Sequence, residues 1–79
     1  MNRSEIVERV RTIINQELQI SIDDIGFDTD LITLGVDSLD ILKLAAALET
    51  EFDIRITTPE VQQTKTFGDI VYGLERKLG

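Results

Sequence analysis

There is no cysteine, no histidine and no tryptophan in this 79-residue chain, and only one proline. Without cysteine, no disulfide staples the chain and no thiolate can hold a metal or attack a substrate. Without histidine, the commonest general base and metal ligand is missing. Aromatic bulk comes only from Phe27, Phe52, Phe67 and Tyr72. Positive charge is scarce as well: eight Lys and Arg face fifteen Asp and Glu, a formal charge of −7. That balance argues against nucleic acid and anionic membrane as partners, because their phosphates would repel it. It suits a chain steered toward basic patches on other proteins, although a merely well-solvated surface would be acidic too. No apolar run is long enough to span a bilayer. Met1-Asn2-Arg3-Ser4-Glu5 lacks the apolar segment of a signal peptide, so a cytoplasmic, monomeric protein is expected. The start at Met1 suggests a free-standing chain, with an excised domain as the alternative. Residues 1–79 are read as one small domain, which buries only about 60% of the surface its unfolded chain would expose. With no nucleophile–base pair in view, an enzyme is not expected.

What is present is helical periodicity. Ile6, Val10, Ile13, Ile14 and Leu18 recur at helical spacing, and Asn2 or Ser4 can cap them, predicting a helix over about residues 3–18. The stretch from Gln19 to Val36 is long and irregular, broken by Gly26 and by the turn-forming Asp23-Asp24 and Asp28-Thr29-Asp30. Ile20, Ile22, Ile25, Phe27, Leu31, Ile32 and Leu34 run through it, which predicts a loop pinned across the core. Its aspartates do not follow the EF-hand ligand spacing, so they are read as turn and capping residues, and no metal is expected. A second helix is predicted over about residues 38–51, with Ile41, Leu44, Ala45, Leu48 and Phe52 on the core side. Leu39, Leu42 and Ala46 form a second apolar stripe bordered by Lys43, Glu49 and Thr50, while Asp40, Ala47 and Glu51 make a more polar side. The second stripe is either buried under the long loop or exposed for a partner. Asp53 to Ile56 reads as an extended connection. Thr58-Pro59-Glu60 starts a short helix through Gln63, with Thr58 as its cap. Thr66, with Asp69 at capping-box spacing, opens a last helix. Phe67, Ile70, Val71, Leu74 and Leu78 face inward there, and Glu75, Arg76 and Lys77 face outward. There is no internal repeat, low-complexity segment or convincing strand. The expectation is an all-α four-helix bundle: three long helices, one short, and a long loop between the first and second.

Ser38 is the candidate functional residue. It follows the flexible Gly35 at the start of the second helix, where the positive end of the helix dipole favours a phosphate. A plain capping role for this serine is the simpler alternative. Capping by Asp37 would leave the hydroxyl free. The run Leu34-Gly35-Val36-Asp37-Ser38-Leu39, continued by Ala47-Leu48-Glu49-Thr50-Glu51-Phe52-Asp53-Ile54, resembles the acyl carrier protein family, and the resemblance extends over nearly the whole chain. It implies the acyl-carrier type of bundle and a 4′-phosphopantetheine on Ser38, transferred from coenzyme A by a phosphopantetheinyl transferase with magnesium. The thiol of that group would hold acyl cargo as a thioester. The resemblance further implies that the second helix is the recognition helix. Leu39, Leu42 and Ala46 would contact partners, and Asp37, Asp40 and Glu49 would pair with their Arg and Lys residues. Ile41, Leu48 and Phe52 would line an interior that shelters the cargo.

Lys43 stands where fatty-acid carriers usually have Glu, Thr50 replaces an acidic residue, and Ala46 stands where they often have Met. These departures point from housekeeping fatty-acid synthesis toward a dedicated pathway. Lys43 is either part of the recognition face or only a solvated charge. Val36 departs from the Gly-Gly-x-Ser-Leu pattern of peptidyl carriers, which leans toward acyl cargo. Three functions are therefore in play. One is an acyl carrier for fatty-acid-like or polyketide-like synthesis, served by a loading ligase or acyltransferase and by condensing or transferase enzymes. Another is an aminoacyl or peptidyl carrier. The last is an unmodified helical adaptor.

Overall fold

The computed structural model describes residues 1–21, 23 and 25–79; the expectations for Ile22 and Asp24 lie outside the described residues. Its helices are α1 (Arg3–Leu18), α2 (Ser38–Phe52), α3 (Thr58–Gln63) and α4 (Phe67–Leu78), with a 3₁₀ turn at Leu31–Leu34. The expected all-α bundle of three long helices and one short one is what forms. α1 packs against α2 and α4, and α3 leans on α2. No helix among the described residues is long and apolar enough to cross a membrane.

Each helix starts where a side chain can accept a free backbone N–H. Asn2 accepts from Glu5 N at 2.9 Å and α1 begins. Ile6, Val10, Ile13 and Ile14 then form its buried stripe. Thr66 and Asp69 form a reciprocal capping box at the head of α4. α3 has the same device, but its cap is Thr57 and not Thr58: Glu60 accepts from Thr57 N at 3.0 Å, and Pro59 sits inside the first turn.

The long first loop is pinned, as its apolar content predicts. Ile25, Leu31 and Val36 are buried with the helices' apolar stripes. Phe27 meets Tyr72 edge-on at 5.7 Å and tilts against Phe67 at 5.8 Å. Its backbone is tied to the entrance of α4: Leu31 N donates to Lys65 O at 2.9 Å, Phe67 N to Thr29 O at 3.0 Å and Gly68 N to Phe27 O at 3.0 Å. A Cβ on Gly68 would lie 2.8 Å from that Phe27 oxygen, so only glycine lets the loop approach so closely. Two features go beyond the sequence reading: the 3₁₀ turn, capped by Asp30 through Ile32 N at 3.0 Å, and an isolated antiparallel bridge between Asp30 and Thr66.

Several side chains sit differently from expectation. α2 runs one residue further, to Phe52, and Ala47 packs against the core because its side of α2 faces α1, where Arg9 and Glu51 pair at 3.3 Å. Glu75 does not point into solvent alone: it pairs with Arg3 at 3.0 Å, and Arg3 also stacks over Tyr72. Lys77 reaches Glu60 at 2.6 Å and ties α4 to α3.

Candidate functional site

The chain approaches Ser38 through a sharp reversal. Gly35 closes the 3₁₀ turn in the left-handed region, φ +82°, with nothing within 4 Å of where a Cβ would be. Its N–H donates to Ile32 O at 3.0 Å, and Val36 then turns inward and is buried. Asp37 caps α2: its Oδ1 accepts from Asp40 N at 2.9 Å, while Asp40 Oδ2 accepts from Asp37 N at 3.2 Å. Ser38 is therefore the first helical residue and not the cap. It is exposed, and among the described residues its hydroxyl makes no hydrogen bond. The N–H groups of Ser38 and Leu39 likewise have no acceptor among the described residues, leaving two free donors at the positive end of α2.

Beside Ser38, Leu39 is 75% and Leu42 57% exposed, and Ala46 is also exposed. The long loop does not cover this stripe. Ile32, on the 3₁₀ turn, is 77% exposed as well. Its place in a stretch read as wholly core-directed gave no sign of this. The charged residues of the helix are partly engaged within the chain. Asp37 and Asp40 cap each other's ends of the first turn. Lys43 Nζ donates to Glu17 O, a free carbonyl in the last turn of α1, at 3.2 Å. Glu49 Oε2 accepts from Ile56 N at 2.9 Å and holds the connection to α3 in place.

An open cleft of about 280 Å³ lies between α2, α3 and α4. Ile41 and Leu48 line it as anticipated, together with Val61, Ile70 and Leu74. Phe52 does not; it is buried elsewhere in the core. Polar groups rim the cavity, and several are already partnered. Thr64 Oγ1 donates to Glu60 O at 2.9 Å, and Asp69 accepts from Lys65 N at 2.9 Å and Thr66 N at 3.1 Å. Those two amide donors hold the Asp69 carboxyl below the usual carboxylate range. The Lys77 ammonium, followed by the Thr57 amide and hydroxyl, brings Glu60 down to about 2. No cluster of acidic side chains among the described residues is arranged to hold a metal.

A protein-family profile described as a phosphopantetheine attachment site matches residues 8–72. The sequence is 35% identical over 79 residues to an acyl carrier protein of Thermotoga maritima, a match covering 99% of this chain and 98% of that one. It is 36% identical over 80 residues to an acyl carrier protein of Borrelia garinii subsp. bavariensis, covering all of both chains. The fold is similar to the crystal structure of an acyl carrier protein from Thermotoga maritima. The TM-score is 0.87 at 23% identity, over 99% of this chain and 92% of that one.

Proposed function

The chain belongs to the acyl carrier protein family, whose members carry covalent 4′-phosphopantetheine and are carriers rather than catalysts, and we propose that Ser38 is its attachment residue. The observation that carries this reading is the division of labour at the head of α2. Asp37 satisfies the cap, so the Ser38 hydroxyl stands exposed and unbonded beside two free N–H donors. Asp37 and Asp40 would oppose a phosphate by charge, but each already gives one carboxylate oxygen to the other's backbone N–H. Gly35, at φ +82°, lets the chain make the left-handed turn that leads into α2. These features fit a phosphodiester on Oγ. The prosthetic group supplies a terminal thiol, which a chain without cysteine cannot provide.

In this reading the chain takes an acyl group as a thioester and delivers it to enzymes of fatty-acid-like or polyketide-like synthesis. Its partners are a phosphopantetheinyl transferase, an acyl-loading ligase or acyltransferase, and condensing or transferase enzymes. They dock on Leu39, Leu42 and Ala46, guided by the acidic surface toward their Arg and Lys residues. Exposed ion pairs are worth only about 0–1 kcal/mol each, which suits a shuttle that must let go. The cavity between α2, α3 and α4 shelters the cargo between visits. The test is intact mass after incubation with coenzyme A, magnesium and a broad-specificity transferase. A gain of one phosphopantetheine in the wild type, absent from Ser38→Ala, is expected. Equal gain in both, or none while a known carrier is modified in parallel, refutes the assignment.

A further inference from the structure

The two glycines in α4 have opposite surroundings. At Gly68 a Cβ would collide with a backbone oxygen, so packing demands glycine. At Gly73 a Cβ would meet nothing nearer than the tip of Arg76, at 3.9 Å, and the backbone is helical. Neither close approach nor a left-handed conformation requires glycine there, and glycine in a helix interior is destabilising relative to alanine. What Gly73 does have is a place in the wall of the cavity. Its missing side chain leaves that wall recessed.

From this we infer that Gly73 sets the cross-section available to an acyl chain in the cavity. The inference rests on the sheltering role proposed above. Ile41, Leu44, Leu48, Ile70 and Leu74 line the cavity and supply the apolar contact that an acyl chain needs. A leucine at position 73 would fill much of the recess that the missing side chain leaves.

The experiment loads wild type, Gly73→Ala and Gly73→Leu with butyryl, octanoyl and dodecanoyl pantetheine, using the transferase and the matching acyl-coenzyme A. It reads the melting temperature and the rate of thioester hydrolysis in mild base. In wild type, Tm and thioester lifetime are expected to rise from butyryl to octanoyl. Gly73→Ala, before loading, should melt roughly 2–8 °C higher than wild type, with a smaller gain on octanoyl loading. Gly73→Leu, checked as helical by circular dichroism, should show octanoyl no better protected than butyryl. If wild type shows no dependence on chain length, the sheltering reading falls and this inference with it. If wild type shows the dependence and both variants keep it unchanged, sheltering stands and the role of Gly73 is overturned.

Discussion

Removing the Ser38 hydroxyl should leave the fold nearly untouched, because Asp37 already caps α2 and no intramolecular bond of that hydroxyl is lost. Ser38→Ala is expected to unfold in urea within about 0.5 kcal/mol of wild type, whereas Asp37→Ala should cost about 1 kcal/mol by stripping the cap. The pair separates structure from chemistry at adjacent residues. If Ser38→Ala proved the more damaging of the two, the hydroxyl would be a structural cap after all. Gly68 offers the sharpest contrast. Gly68→Ala pushes a methyl group toward Phe27 O, which accepts the hydrogen bond from Gly68 itself. The loop must retreat, and a loss of roughly 1–3 kcal/mol is expected in the same urea titration.

At the scale of elements, α3 is held by its ends. It has six residues and none is buried, so it cannot persist on its own. The Thr57–Glu60 capping box and the Lys77–Glu60 ion pair fasten it across the cavity. Acid therefore reaches it through Glu60. Its carboxyl is brought from 4.5 down to about 2 in the folded chain by Lys77 and Thr57. A lowered carboxyl favours the folded state fully above its unfolded value, and that contribution fades as pH falls from about 4.5 toward 2. Amide exchange in residues 58–63 should accelerate, relative to α1, over that window. Glu60→Gln should flatten the acid dependence while raising α3 exchange already at neutral pH. The same element shows where sequence reading stops. Thr57-Thr58-Pro59-Glu60 announces a capped helix start, but both threonines are chemically able to cap, and only the Thr57–Glu60 spacing closes the box. The helices themselves were legible because Ile6, Val10, Ile13 and Ile14, or Phe67, Ile70, Val71 and Leu74, repeat at helical spacing. The 3₁₀ turn was not, because its place is fixed from afar, by Leu31 N on Lys65 O. Ala47 read as polar-sided for the same reason, since only the position of α1 turns that side inward. Ser38 was legible because its neighbours form a linear motif. Gly73 was legible only as a weak point of α4, since the cavity it borders is assembled from three helices.

Across the whole molecule, two apolar surfaces share one helix and must be told apart by experiment. Phe67, Ile6 and Val10 are fully enclosed, and Leu44, Leu48 and Phe52 join them from α2. In a chain this small, Phe67→Ala should cost about 3–5 kcal/mol, a large share of the roughly 5–15 kcal/mol that holds a domain together. Leu42 lies on the other surface, 57% exposed and free of the core cluster. Leu42→Asp should therefore leave Tm nearly unchanged, yet slow phosphopantetheinylation by about tenfold if that stripe is an anchor for partners. Its effect should survive high salt, because it acts through apolar contact. The charge-guided part of docking should not survive: raising salt from about 0.1 to 1 M shortens electrostatic reach from about 10 to 3 Å. With a net charge of −7, encounter with a basic partner should slow accordingly in wild type and variant alike. A Leu42→Asp protein modified at the wild-type rate would remove Leu42 from the docking surface and leave Leu39 and Ile32, the more exposed large apolar side chains, as the next residues to substitute.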